Sequence, residues 1–216
     1  MEWFRIPKEK AEQPKSGSYK KWKERIAKEG KHQCVYCCIH EAQFGGIRNF
    51  HVEHFRPKSI SRFSKLENDI TNLYYSCSIC NCFKGDDWPN DPVEDNAEAI
   101  FYIDPSQKSY KEVFDISKKY KVEAKHLSGK YMIEKVFLNR PQLIQERKTY
   151  IGIKKLENNV QVLSKYFDRI LNSESIEESV KRDLLKSAKN LMHDSISTLT
   201  KITKTRPYIS SDIKRK

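Results

Sequence analysis

The first apolar pattern along the chain lies near its start. Within Tyr19–Lys28, the apolar residues Trp22, Ile26 and Ala27 are spaced as on one face of a helix, among lysine, arginine and glutamate. This spacing predicts a short amphipathic helix. A basic, proline-containing lead precedes it, and together they form a predicted N-terminal region over residues 1–30.

The C-terminal third of the chain shows the same periodicity over longer stretches. It predicts helices over Tyr131–Leu138, Leu143–Phe167 and Ser175–Thr203. Asn139-Arg140-Pro141 separates the first two, because proline interrupts a helix. The last stretch carries an apolar stripe that must be buried by core packing or, as the alternative, by a partner. The stripe consists of Leu184, Leu185, Ala188, Leu191, Met192, Ser195, Ile196 and Leu199.

Short strands are predicted in the middle of the chain. Ala99–Ile103 and Lys119–Ala124 have strand length, and Asp104-Pro105-Ser106 marks a turn between them. The acidic, turn-rich run Asn90–Asp95 predicts a boundary between subdomains. We therefore expect three regions, over residues 1–30, 31–90 and 91–216, of which the last is mixed at first and then helical.

The composition favours a modest apolar core and a highly charged surface. Of the 216 residues, 38% are hydrophobic and 32% are charged. The 41 lysines and arginines against 29 acidic residues give a formal net charge of +12. This balance is typical of proteins that bind a polyanion, but also of proteins that are merely basic.

The cysteines indicate a metal site. No stretch is apolar enough to span a membrane and the first residues lack a signal-peptide core, so a cytoplasmic location is expected. Thiols stay reduced there, and clustered cysteines then favour a metal over a disulfide. All six cysteines and four of the six histidines lie within residues 31–90, so this segment is the predicted chemical centre.

Two C-x2-C pairs in this segment predict a structural zinc site. Cys34 and Cys37 form the first pair, and Cys77 and Cys80 form the second. Each pair can present two thiolates through a tight turn, and four thiolates close a tetrahedral zinc site without an open position for water. The two remaining cysteines break the matched spacing, so they are not expected to bind the metal. They are Cys38 and Cys82.

Between the pairs lies a run of chemically active residues, His51-Val-Glu53-His54-Phe-Arg56-Pro57-Lys58. As a strand it would point His51 and Glu53 to one face and His54 to the other, so the three meet only if the chain bends near His54. An imidazole base with a carboxylate-held divalent ion suits phosphodiester hydrolysis. A second zinc site or unrelated surface residues are the alternatives.

Together with the residues around it, this run resembles the HNH, or ββα-metal, nuclease family. The family pattern has an acidic residue and a histidine, a proline, a central asparagine, and a C-x2-C pair followed by histidine or asparagine and then lysine. The matching residues are Glu53, His54, Pro57, Asn72, Cys77, Cys80, Asn81 and Lys84. The match covers roughly residues 31–88, and both cysteine pairs make it specific.

The resemblance implies a role for each of these residues. His54 corresponds to the general base, and Glu53 to a carboxylate ligand of the catalytic ion. Asn81 corresponds to the second ligand, at the start of a short helix, and Asn72 to the asparagine that fixes the loop and orients the base. His51 lies where some members have a further acidic residue or histidine near the metal.

The implied fold is α+β. It has a ββα-metal core with a four-cysteine zinc knuckle, an N-terminal helix and a mainly helical C-terminal region. Asn81 stands where many members have histidine, and its amide oxygen favours Mg²⁺ or Mn²⁺ over zinc or nickel. Glu53 stands where aspartate is commoner and reaches one methylene further.

Basic residues around the motif are expected to hold the phosphates that flank the scissile bond, without reading the bases. For each of them, an ordinary solvated loop position is the alternative. They are Arg56, Lys58, Arg62, Lys65 and Lys84.

A longer resemblance is to PtuB, the family of HNH subunits in Septu-type anti-phage systems, and to nucleases encoded beside retrons. It includes the runs at residues 51–59 and 72–85 and the later Leu138-Asn139-Arg140-Pro141-Gln142-Leu143. It implies an antiviral defence role, DNA as the favoured substrate, and a PtuA-like ATPase partner that carries and restrains the nuclease.

Two other classes of function compete with the nuclease hypothesis. A zinc-ribbon module that binds nucleic acid without catalysis explains the cysteines and the charge, but leaves Glu53, His54, Asn72 and Asn81 unexplained. A protein-interaction adaptor would rely mainly on the C-terminal helices.

Overall fold

The computed structural model of the 216-residue chain describes residues 2–9, 18–92, 99–172 and 176–204. These residues fall into two compact units, one within Met1–Ile144 and the other within Gln145–Lys216. The first unit holds two small antiparallel sheets and several helices, and the second is helical. The chain is therefore α+β, as predicted.

The predicted N-terminal helix is confirmed. A 3₁₀ turn over Tyr19–Trp22 leads into α1 (Lys23–Glu29), which ends at Gly30. Ile26 and Ala27 are buried, as their spacing predicts.

A hairpin and a helix follow one another in the centre of the first unit. β1 (Phe50–His54) pairs antiparallel with β2 (Leu73–Cys77), and α2 (Ser78–Lys84) continues directly from β2. β2 is buried along its whole length, because α1 and α2 both pack against the hairpin. The strand predicted at the histidine run is thus present, and the chain bends directly after His54.

Residues 99–144 complete the same unit. α3 (Tyr110–Val113) leads into β3 (Phe114–Ile116), which pairs antiparallel with β4 (Val122–Ala124), and α4 (Leu127–Lys135) packs on β4. The strand predicted near residues 119–124 is therefore shorter than expected.

The strand predicted over Ala99–Ile103 is wrong. The segment makes no ladder with any residue that the structure describes, and Tyr102 and Ile103 are held by packing in the core instead. The core of the hairpin continues through these residues to Leu143, so the packing unit extends past the boundary predicted at Asn90–Asp95. Residues 93–98 of that region lie outside the described residues.

The two long C-terminal helices are confirmed. They are α5 (Pro141–Asn172) and α6 (Glu178–Lys204); the predicted start of the second at Ser175 lies outside the described residues. Within the second unit, Lys155 pairs with Asp194 at 2.8 Å. The predicted helix over Tyr131–Leu138 is instead α4, which lies further toward the N-terminus and ends before a left-handed residue, Phe137 (φ 50°).

The apolar stripe of α6 is only partly covered. Ala188 is buried, but Leu185, Met192, Ile196 and Leu199 are 47–62% exposed. Among the residues that the structure describes, no helix has both the length and the apolar character needed to cross a membrane.

Candidate functional site

Four cysteines form a buried cluster beside the hairpin. Cys34 and Cys37 lie in the turn after α1, Cys77 ends β2, and Cys80 lies in α2. Their Sγ atoms all lie within 4.8 Å of one another, with 3.8 Å between those of Cys37 and Cys77. Two sulfurs on one tetrahedral zinc, each at about 2.3 Å, lie roughly 3.8 Å apart. The four cysteines could therefore hold a metal ion, and their spacing is compatible with zinc.

Backbone hydrogen bonds shape the first cysteine pair. Cys38 N donates to Cys34 O at 2.9 Å, and Val35 N donates to Tyr75 O at 2.8 Å, which ties the turn to β2. Cys38 closes the turn in the left-handed region, with a φ of 59°. In the described part of the chain, neither Cys38 nor the exposed Cys82 belongs to the group of four, as predicted.

The electrostatics of the cluster also suit a cation. Burial, together with the neighbouring thiols, raises the pKa of Cys37 and of Cys80 well above the usual value. Metal binding requires thiolates, so full ionisation of the set depends on a compensating cation.

His54 lies at the end of β1 and is half-buried. Its Nε2 lies 2.9 Å from Glu67 O. A carbonyl oxygen only accepts, so Nε2 carries the proton and the neutral ring keeps its lone pair on Nδ1. Burial lowers the pKa of His54, and the charges of Lys58 and Lys84 act in the same direction. The ring is therefore suited to accept a proton at Nδ1 near neutral pH.

Asn72 holds the loop that follows His54. This buried side chain accepts from Arg56 N at 2.8 Å and donates to Arg56 O at 3.0 Å. It also donates to Leu66 O at 3.4 Å, next to the residue whose carbonyl holds His54. Asn72 thus connects the backbone at Arg56 to the backbone at Leu66, while its role in orienting a catalytic base stays a prediction.

Glu53 and Lys84 form a buried ion pair. Lys84 Nζ lies 2.8 Å from Glu53 Oε1 and donates to His54 O at 3.2 Å, and Tyr36 Oη donates to the same carboxylate oxygen at 3.1 Å. Burial raises the pKa of Glu53, although Lys84 and Tyr36 oppose the shift. Lys84 was expected to hold a substrate phosphate, but its side chain is 0% exposed and its charge is used on Glu53.

The residues predicted to hold Mg²⁺ or Mn²⁺ are placed differently from one another. Glu53 is closed to solvent and already paired, His51 is exposed on β1, and Asn81 is half-buried in α2. Because an ammonium already neutralises the Glu53 carboxylate, this arrangement does not fit a resident divalent ion. The roles of Glu53, Asn81 and His51 at a catalytic ion stay predictions.

The other cations predicted to contact phosphate lie at or near the surface. Lys58 pairs with Glu67 at 2.7 Å, and Arg62 pairs with Asp91 at 2.9 Å, all four side chains being at least 40% exposed. Exposed pairs of this kind are worth little, so a phosphate can displace the carboxylate. The other two are Arg56, half-buried, and Lys65, exposed.

Three residues around the candidate site were missed by the sequence analysis. Tyr19 packs edge-on against His54, with ring centroids 4.6 Å apart, and Lys58 Nζ lies 4.5 Å above the Tyr19 ring. Glu67 supplies the carbonyl that orients His54, and Tyr36 supports Glu53. Only Tyr36 carried a sequence signal, since it lies inside a C-x2-C pair.

Arg140 is a fourth missed residue. Its Nη2 lies 3.6 Å from Cys80 Sγ and 3.8 Å from Cys37 Sγ. Burial alone would lower the pKa of Arg140, but the charges of these two thiols outweigh it and raise the pKa above its ordinary value.

No protein-family model, curated protein or solved structure matches the chain. Its function is therefore inferred from its own residues and their geometry.

Proposed function

We propose that this chain is an HNH endonuclease that hydrolyses phosphodiester bonds of nucleic acid, with His54 as the general base. The observation that carries the proposal is the hydrogen bond from His54 Nε2 to Glu67 O, which leaves Nδ1 as the proton acceptor. The lowered pKa of His54 favours the neutral ring. The hydrogen bonds of Asn72 to the Arg56 backbone hold the chain that follows His54.

The proposed step is a proton transfer coupled to attack on phosphorus. His54 Nδ1 takes a proton from water while the water oxygen bonds to the phosphorus. The bond from phosphorus to the leaving oxygen breaks, and that oxygen takes a proton from solvent. A positioned base of this kind contributes about two to four orders of magnitude in rate.

From the resemblance alone, we also propose that cleavage depends on Mg²⁺ or Mn²⁺. Binding of the ion by Glu53 and Asn81 would require Lys84 to release the Glu53 carboxylate first. The oxygen donors of these two side chains suit a hard cation.

We further propose that the four cysteines hold zinc and that the zinc is structural. Four thiolates leave no open coordination position. The cluster joins the turn after α1 to β2 and α2, so zinc would fix β2, the strand that pairs with the strand carrying His54.

Substrate binding is proposed to be electrostatic. The net charge of +12 and the exposed Lys58 and Lys65 favour phosphate contacts without base readout. DNA is the favoured substrate because of the resemblance to HNH subunits of anti-phage systems.

The same resemblance leads us to propose a cytoplasmic defence complex with a PtuA-like ATPase. The exposed apolar residues of α6, among them Met192 and Ile196, support a protein partner, since large exposed apolar patches commonly mark interaction sites. Co-expression with the neighbouring gene product, followed by size exclusion, tests this. A monodisperse monomer that never co-elutes with a neighbour counts against it.

A plasmid-cleavage assay with Mg²⁺ or Mn²⁺, with and without a chelator, separates the three classes of function. Metal-dependent nicking or linearisation supports the nuclease. Retarded but intact plasmid indicates the non-catalytic zinc-ribbon module, and absence of both indicates the adaptor.

A further inference from the structure

The run Leu138–Leu143 connects α4 to α5 and is held in place at both of its ends. Asn139 Oδ1 accepts from Val122 N at 2.7 Å, and its Nδ2 donates to Val122 O at 2.9 Å. Leu143 is fully buried in the core. The backbone of Arg140, between these two anchors, is therefore held in place at the start of α5.

From this position the Arg140 guanidinium reaches three of the four clustered sulfurs. Nη1 lies 3.5 Å from Cys80 Sγ, and Nη2 lies 3.6 Å from the same atom. Nη2 also lies 3.8 Å from Cys37 Sγ and 3.9 Å from Cys77 Sγ. Its position above three sulfurs at once suits a planar cation with several fixed N–H donors.

Among the described residues, no aspartate or glutamate lies within ion-pair distance of the Arg140 guanidinium. Its other acceptors are the carbonyls of Val136 and Phe137, both at 3.4 Å. A half-buried guanidinium is costly without an anion. The sulfur cluster is the anionic group available to it.

The metal-bound cysteine cluster in turn needs a nearby positive charge. Four thiolates exceed the charge of one divalent ion by two, so a loaded site would be a buried anion. Hydrogen bonds from a charged donor to an anionic acceptor are roughly twice as strong as neutral ones. Metal binding therefore stabilises the charge of Arg140, and the charge of Arg140 stabilises the metal-bound thiolates.

We propose that Arg140 is an outer-shell residue of the four-cysteine metal site, whose charge stabilises the loaded thiolates and couples metal binding to the start of α5. The proposal rests on metal binding by the cysteines and does not depend on nuclease activity. Coupling of this kind is reciprocal, so whatever Arg140 adds to metal affinity, the metal adds to the anchoring of Arg140.

The test is the zinc affinity of the full chain, measured by competition with a chromophoric chelator. Arg140→Met should weaken zinc binding about 10- to 100-fold, the usual effect of losing an outer-shell partner. The zinc affinity of Arg140→Lys should lie between those of Arg140→Met and the wild type. An ammonium keeps the positive charge but lacks the planar set of N–H donors of a guanidinium.

Two control variants separate this effect from a loss of charge or of anchoring. Lys135→Met removes a cation that pairs with Asp87 rather than with sulfur, and Asn139→Ala loosens the same segment without removing the guanidinium. Lys135→Met should keep the zinc affinity of the wild type. Asn139→Ala should lose clearly less zinc affinity than Arg140→Met, because it keeps the guanidinium, even if it lowers the melting temperature.

Wild-type zinc affinity in folded Arg140→Met overturns the proposal, and so does an equal loss in Asn139→Ala. If Arg140→Met does not fold, Arg140→Lys decides, since an affinity equal to that of the wild type overturns it and a reduced one supports it. Zinc affinity does not require cleavage, so a chain without nuclease activity tests the proposal equally well.

Discussion

Replacing Lys84 by methionine removes one partner of the buried ion pair and leaves the other behind. The Lys84 side chain is 0% exposed and that of Glu53 is 4% exposed, so the remaining carboxylate has Tyr36 as a donor but no compensating charge. Breaking a buried pair in this way costs about 3–5 kcal/mol. For a domain of this size, that corresponds to a fall in melting temperature of roughly 6–20 °C.

The loss should depend on pH with a definite sign. Burial already raises the pKa of Glu53 above its ordinary value of 4.5, and without Lys84 the pKa rises further. A carboxyl group with a raised pKa binds its proton more tightly in the folded state, so the folded state loses stability as the pH rises through that range. The free energy of unfolding that Lys84→Met loses relative to the wild type should therefore be small near pH 4.5. It should reach its full size above the raised pKa of Glu53.

Urea unfolding followed by circular dichroism at acidic and at mildly alkaline pH measures both effects. Lys84→Met combined with Glu53→Gln should recover most of the loss, because the uncompensated charge is gone. Lys58→Met is the matched control, since its pair with Glu67 is exposed to solvent and should contribute little to stability. An equal loss at both pH values, or no recovery in the double variant, would refute the reasoning.

Three further predictions concern the metal, the loop and the base. Cys77→Ser combined with Cys80→Ser should abolish zinc binding in elemental analysis and lower the melting temperature. Cys38→Gly, at a left-handed turn position, should keep the zinc content and the melting temperature of the wild type. Zinc retained in the double variant refutes the assignment. Asn72→Ala should destabilise the fold by about 1–3 kcal/mol in urea unfolding and reduce the maximal cleavage rate more than substrate affinity, because it leaves buried backbone groups unpaired; an unchanged rate contradicts this. The cleavage rate should fall as the pH drops through the lowered pKa of His54, with a midpoint below 6.5; a midpoint above 6.5 argues against His54 as the base.

The sequence was most informative where local spacing fixes local structure. Helical periodicity predicted α1, α5 and α6, and the matched C-x2-C pairs predicted which four cysteines meet. Ala99–Ile103 was mistaken for a strand because a short apolar segment of this length is typical of one. In the structure, Tyr102 and Ile103 are buried by packing without forming a ladder. Strand pairing depends on a distant partner, which periodicity does not identify.

In the candidate site, too, local motifs were predictable and contacts between distant residues were not. Asn72 holds the backbone of Arg56, two residues after His54, but the roles that the resemblance implies for Asn72 and His54 stay predictions. The burial of Lys84 on Glu53 was not predictable, because the residues are far apart in sequence and lysines are rarely buried. The contact of Arg140 with the cysteines spans an even greater sequence separation.

The nuclease proposal is tested most directly by comparing plasmid cleavage by the wild type and by His54→Ala in Mg²⁺ or Mn²⁺, together with any partner that the activity requires. Both proteins should have equal zinc content and equal melting temperature, and His193→Ala, on α6, serves as the histidine control. We expect His54→Ala to lose about two to four orders of magnitude in rate and to keep its affinity for DNA, since Lys and Arg carry the binding. Cleavage at the wild-type rate by folded, zinc-loaded His54→Ala would contradict the proposed mechanism.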